Sequence, residues 1–213
     1  MGIDFNNYQI LSKFNVSRET YYILDNFRKI VIKKNRLINL ISRKTEENFI
    51  ERHIIDCAQA IDFIDINSQS CTDVGSGAGL PGIVLAIVFK EKNIKMKMNL
   101  YEKSHHKSKF LKQISEKLKL DVEVFQKDIF KEKNLVSGSI IARAFKPLPI
   151  ILDLVQEKFK NYKNLVVFMG KNGKQMLEDS VKKWKFEYKE KRSLTSKDSF
   201  LINIKNIKKN EQD

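Results

Sequence analysis

Asp73, Gly75, Gly77, Gly79 and Gly82 crowd into the stretch CTDVGSGAGLPG, which takes four of the eight glycines in a chain of 213 residues. Glycine costs conformational entropy wherever it folds, and it is tolerated where the backbone needs a positive φ or where something must come close. A cluster of glycines directly behind a short apolar run that ends in an acid points to a backbone that receives a ligand. Two more acids follow. Glu102 closes the next apolar run, where a carboxylate can accept both hydroxyls of a ribose, and Asp128 follows the third, at a position suited to an adenine. Glycine loop, ribose acid and adenine contact together describe a nucleoside site.

Dinucleotide folds use a similar turn, but their G-x-G-x-x-G fingerprint seats a diphosphate over a helix N-terminus. Here Asp73 stands two residues ahead of the first glycine. An anion there repels a diphosphate and suits a ligand that carries a cation. S-adenosylmethionine has an ammonium and a sulfonium and no phosphate, and it is the expected cofactor. A glycine triplet alone could equally be a tight turn with no ligand; the register of Asp73 and Glu102 around it argues for the methyl donor.

The spacing of apolar side chains predicts the elements that must hold these residues. Residues 17 to 41 carry Ile23, Phe27, Ile30, Val31, Leu37, Ile38 and Ile41 at helical spacing behind Ser17, which predicts a capped amphipathic helix with a basic outer face. A second helix is predicted from Thr45, with Glu46 and Glu47 in its first turn and Phe49, Ile50, Ile54, Cys57, Ile61 and Ile64 along its buried stripe. Beyond the polar breaker DINSQS, short apolar runs alternate with helical segments, the pattern of βαβ units and a mostly parallel sheet. KFEYKEKR and SFLINIKNI read as two successive strands forming an antiparallel hairpin on it. The division expected is a helical extension over 1–66 and an α/β domain over 67–213, around one core.

Forty Lys and Arg against 26 Asp and Glu give a net charge of +14, which argues for a polyanionic partner. Lysine enrichment can also reflect nucleotide bias, so distribution matters more than total. From Arg28 to Lys44 there are seven cations and no acid, and from Lys103 to Lys119 six cations against Glu116 alone. Both stretches are expected to face RNA. No apolar run is long enough to span a membrane, the opening MGIDFNNYQI lacks the pattern of a signal peptide, and Cys57 and Cys71 sit far apart. A cytoplasmic protein without a resident metal is expected. His53 reads as a partly buried structural side chain, His105 and His106 as a solvated helix start, and Asp56 as an i, i+4 partner of Arg52.

NRLINLIS (35–42), ERHIIDC (51–57), DVGSGAGLPGIVLAIV (73–88) and ARAFKPL (142–148) resemble the bacterial RsmG (GidB) family, which methylates guanine-N7 in 16S ribosomal RNA. That resemblance implies a class I S-adenosylmethionine-dependent methyltransferase, with a mostly parallel seven-stranded Rossmann-like sheet, acting as a monomer on 16S rRNA or a small ribosomal subunit particle. It further implies that Gly75 and Leu80 lie along the donor, that Asp128 and Ile129 flank its adenine, that Arg143 reaches the donor-side active site, and that Lys127 stands near the substrate. One departure is Met169, where the family usually has Lys; Lys171 follows two residues later. Because the end of the fourth strand faces a wet cleft in such a fold, Arg143 is expected to be dispensable for stability. Two alternatives stand beside this reading: an RNA-binding or ribosome-assembly protein that keeps the fold without the chemistry, and a methyltransferase with another RNA target.

Overall fold

The computed structural model describes residues 5–14 and 16–210. Seven strands form one sheet: β1 (Ser70–Val74), β2 (Lys97–Tyr101), β3 (Val122–Phe125), β4 (Ser139–Arg143), β5 (Asn164–Met169), β6 (Trp184–Arg192) and β7 (Phe200–Lys209). Their order across the sheet is β3-β2-β1-β4-β5-β7-β6. The first five run parallel, while β7 is antiparallel to both β5 and β6. The predicted C-terminal hairpin is present, and its second strand lies inside the sheet. A separate parallel pair joins Leu135–Val136 to Phe159–Asn161.

Both faces of the sheet are covered, so side chains of one strand bury alternately to either side. On β4, Ile140 and Ala142 join one apolar cluster and Ile141 the other; on β5, Leu165 and Val167 oppose Val166. Helices α1 (Phe5–Ser12), α2 (Arg18–Asn35), α3 (Gly82–Glu91) and α4 (His105–Lys117) pack on the first face, the one carrying Ile141 and Val166. Helices α5 (Leu148–Lys158) and α6 (Gly173–Val181) cover the second.

Ser17 caps α2 as expected, its hydroxyl accepting from the Thr20 amide, but the helix stops at Asn35 instead of continuing to Ile41. The Asn35 side chain explains the stop. Its Oδ1 accepts from the amides of Leu40 and Ile41 at 2.8 and 3.0 Å, and its Nδ2 donates to the Ile41 carbonyl, so one buried amide folds the following loop back on itself. Leu37, predicted to lie on the buried stripe, is 76% exposed as a result. The second predicted helix also starts later. A short 3-10 turn spans Arg43–Thr45, and regular winding begins at Ile50 as a π-helix that runs to Ile55 and tightens afterwards. Phe49, Ile54, Cys57, Ile61 and Ile64 are buried as expected.

The chain moves from β1 outward through β2 to β3, then returns to the other side of β1 with β4. That reversal opens a crevice at the carboxyl ends of the strands, between β1 and β4. The N-terminus of α3 closes tightly behind it: a Cβ on Gly82 would sit 2.3 Å from Leu100 Cδ2 and 2.7 Å from Asp73 Oδ2. Gly82→Ala is therefore expected to destabilise the fold by about 1–3 kcal/mol through overpacking. Denaturant melts of the two proteins check this.

Candidate active site

After Val74 the chain must turn sharply to begin α3, and the loop is held by its own polar groups. The Gly75 and Ser76 amides both donate to the Tyr101 carbonyl at 3.0 Å, Gly79 N–H donates to the Ser76 carbonyl at 2.7 Å, and Gly82 N–H to Asp73 Oδ2 at 2.9 Å. Gly75 and Gly77 take positive φ of 74° and 56°. Their missing side chains serve different ends. A Cβ on Gly75 would strike the Phe145 ring at 2.1 Å, whereas one on Gly77 would meet nothing nearer than the Gly75 carbonyl at 3.8 Å. Gly77 is thus where bare backbone is open to an approaching molecule.

Glu102 sits at the end of β2 and is held from two sides. Gly77 N–H donates to its Oε2 at 2.9 Å and Ser104 N–H to its Oε1 at 2.8 Å. Each oxygen keeps lone-pair capacity for a further donor, and the carboxylate points along a cleft of about 810 Å³. On the facing wall, Asp128 accepts from the Phe130 amide and Ile129 is buried beside it. Phe130 and Phe145 stack at 5.9 Å. Lys127 stands on the rim and forms an ion pair with Glu132 at 2.9 Å.

Arg143, at the end of β4, is far from loosely placed. Its Nε donates to Asp56 at 3.0 Å, its Nη2 to the Arg52 carbonyl at 2.8 Å, and its side chain is 17% exposed. The expected Arg52–Asp56 pair is therefore replaced: Asp56 turns to Arg143, 87 positions away, and also accepts from Gln59, Ser193 and Thr195. The expectation that Arg143 is dispensable for folding gives way with it, because removing one partner of a buried pair leaves the other charge uncompensated.

His53 fills a gap that sequence reasoning gave only a structural part. It lines the cleft, with Nε2 2.9 Å from Thr45 Oγ1 and Nδ1 3.4 Å from Arg143 Nη2. Thr45 in turn donates to the Ser42 carbonyl. Since Arg143 can only donate, Nδ1 is the acceptor and Nε2 carries the proton. Burial, together with the charges of Arg143 and Arg52, lowers the pKa of His53 to about 4, so the ring is neutral at neutral pH.

Of the residues expected in the site, Gly75, Gly77, Leu80, Glu102, Lys127, Asp128, Ile129 and Arg143 border this one cleft. Asp73 and Gly79 stand behind the loop. Asp73 is fully enclosed, and burial raises its carboxyl to about 7. Met169 is buried in register with Phe200, while Lys171 borders an adjoining hollow that shares Ala144, Phe145 and Lys146 with the cleft. Ala144 itself holds a φ of 49°, a strained conformation for a residue with a side chain, at the junction of the two cavities. The Leu40–Thr45 wall was missed because only the fold-back at Asn35 brings it over the cleft.

The family described as rRNA small subunit methyltransferase G, GidB, matches residues 21–203. A protein of Pelagibacter ubique named ribosomal RNA small subunit methyltransferase G is 53% identical over 207 residues, covering 96% of this chain and 97% of that one. The protein of the same name from Rickettsia akari is 32% identical over 195 residues, covering 91% and 98%. Among solved structures, an S-adenosylmethionine-dependent methyltransferase from Aquifex aeolicus superposes with a TM-score of 0.54 at 15% identity, over 74% of this chain and 92% of that one. The 16S rRNA methylase RmtB gives 0.53 at 12% identity, over 89% and 75%. At such identities the structural likeness speaks for the fold.

His53 and Asp73 act on stability with opposite sign. As pH falls from about 6.5 to about 4, the unfolded chain protonates its histidine before the folded chain does, and stability is lost. Over nearly the same window the folded chain protonates Asp73 first, and stability is gained. The wild-type profile between pH 7 and 4 should carry little net slope from this pair. Asp73→Asn should lose stability more steeply on acidification and His53→Gln less steeply, each by up to about 1.4 kcal/mol per pH unit. Urea melts at three pH values measure the slopes.

Proposed function

Because the chain belongs to the rRNA small subunit methyltransferase G family, we propose that its cleft transfers a methyl group from S-adenosylmethionine to N7 of a guanine in the RNA of the small ribosomal subunit. The observation that carries this reading is the Glu102 carboxylate, clamped by the amides of Gly77 and Ser104 beside a backbone with no Cβ in the way. A ribose fits those remaining lone pairs, and Asp128 and Ile129 suit the edge and face of an adenine. S-adenosylmethionine, when bound, supplies an electrophilic methyl carbon on a sulfonium.

Guanine N7 already offers a lone pair, so no residue need remove a proton before transfer. The absence of a base is consistent with the groups present: His53 is neutral but spends both nitrogens on Arg143 and Thr45, and Glu102 is assigned to the loop amides and the ribose hydroxyls. What the chain contributes is alignment, which can be worth about 7–11 kcal/mol when the reacting atoms are held in near-attack geometry. Arg143 is suited to that task. Asp56 balances its charge, which limits repulsion of a purine that becomes cationic, and with Nε and Nη2 held by protein partners, Nη1 is the donor left to the cleft that Arg143 borders. Lys127 and Lys171 are assigned to phosphates or the purine edge beside it. No described helix is long and apolar enough to cross a membrane; we assign the activity to the cytoplasm, on 16S rRNA or an assembling small subunit, with the chain acting as a monomer.

Calorimetry should show one S-adenosylmethionine per chain, and Gly77→Arg, which fills the open approach, should abolish that binding. Mass mapping of small-subunit RNA incubated with the enzyme should locate one methyl group on guanine N7. Arg143→Ala should reduce transfer at least about tenfold, equivalent to roughly 1.4 kcal/mol in the transition state, and should also lower the melting temperature. Arg143→Lys, which keeps the charge and loses the fork, should recover stability more fully than rate. Wild-type donor affinity in Gly77→Arg would overturn the cofactor assignment.

A further inference from the structure

The two one-sided cationic stretches, separated in sequence by the whole of β1, α3 and β2, meet in the fold. Ile30 of α2 and Leu37 just beyond it face Phe110 and Ile114 of α4 across a shallow groove of about 340 Å³ outside the cleft. Lys33, Lys34 and Lys117 stand along the groove's edges. From there both stretches lead to the active site. The first continues into Leu40, Ile41 and Ser42 of the cleft wall, and the second begins at the cleft with Lys103 and Lys107. Groove and cleft are the two ends of one strip bordered by both.

The charge on this strip is left uncompensated by the protein. Asp25 pairs with Arg28 and Lys29, and no other cation of either stretch makes an ion pair among the described residues. Beyond the strip, Lys97, Lys163, Lys174, Lys191 and Lys209 each meet an acid across the fold, whereas no described cation of the strip past Lys29 does so. Leu37 adds a large apolar side chain held in water, 76% exposed, amid those free ammoniums. An apolar floor with a cationic edge matches a strand whose bases are unstacked and whose backbone is anionic. An acidic amphipathic peptide shares part of that chemistry, but the strip's continuity with a cleft that takes a guanine favours nucleic acid.

We propose that this strip binds single-stranded RNA flanking the target guanine, with phosphates on Lys33, Lys34 and Lys117 and an unstacked base against Ile30 and Leu37. The proposal rests on the RNA-methyltransferase reading and adds a second point of contact to it. It is tested with the full chain and in vitro transcribed small-subunit RNA by fluorescence anisotropy over a salt series. Lys33→Gln/Lys34→Gln/Lys117→Gln together should weaken binding at least about tenfold at 0.1 M salt and reduce the log–log salt slope by about 2, at roughly 0.7 per phosphate of a single strand. Leu37→Asp should weaken binding several-fold, and donor affinity by calorimetry should stay at wild-type level in both variants. Unchanged RNA affinity and slope in both would overturn the proposal. So would a loss seen only with reconstituted small-subunit particles and not with RNA, which would assign the groove to a ribosomal protein. A wild-type chain that binds RNA through these residues but takes no S-adenosylmethionine would instead refute the methyltransferase reading and leave the strip standing.

Discussion

Asp56 carries a carboxylate that is only 15% exposed, and all that keeps it satisfied beyond its own helical turn comes from distant parts of the chain. Arg143 arrives from the end of β4, while Ser193 and Thr195 arrive from the loop between β6 and β7. Burying a charge is costly unless it is paired and hydrogen-bonded, so these segments are bound to one another by the need to satisfy a single group. The side chains that border the cleft inherit their positions from this knot. Arg143 is aimed into the cleft because Asp56 holds its Nε, His53 is fixed as one tautomer because Arg143 faces its Nδ1, and Thr45 is held against His53. The π-helical winding from Ile50 to Ile55 presents the Arg52 carbonyl and His53 ring to the same guanidinium. Widened turns of this kind are frequent at functional sites.

The turn at the glycine loop and the placement of Glu102 beside it were legible in the sequence because they depend on local spacing. Gly77 needs no Cβ, Glu102 must end the next strand, and both requirements leave a mark on the string of residues. Parallel strands buried on both faces are similarly plain as short apolar runs, and the C-terminal hairpin as two longer ones. What the sequence concealed were contacts across long separations. Nothing near Asp56 distinguishes Arg52, four residues away, from Arg143, and only the packed fold decides between them. The neighbours of Asn35 in NRLINLIS keep the helical period through Ile41; a single buried amide satisfying two downstream backbone donors outweighs that period. Asp73 drew attention as a partner for a ligand's cation, and it bonds instead to the Gly82 amide behind the loop. Met169, which stands where the resembled family has Lys, lies in the core in register with Phe200, while Lys171 borders the adjoining hollow.

Charge is sorted over this molecule in two ways. Around the hairpin and the face covered by α5 and α6, Lys163, Lys174, Lys191 and Lys209 reach acids in cross-fold pairs, each contributing little to stability at an exposed site. Along α2, the loop after it and α4, the lysines and arginines beyond Lys29 are left to water. A field of that kind does nothing for the folded state and mildly opposes it through self-repulsion.

The position of β7 has a consequence for how the molecule is made. This strand lies between β5 and β6, pairing with both through Phe200–Lys209. During translation, every other strand leaves the ribosome before it, so the nascent chain exposes an unpaired β5 edge and an unpartnered β6 until Lys209 has cleared the exit tunnel. Premature termination near residue 200 would therefore delete an interior strand and not a marginal one. With this topology the sheet closes last at an interior position, after every other strand has been made.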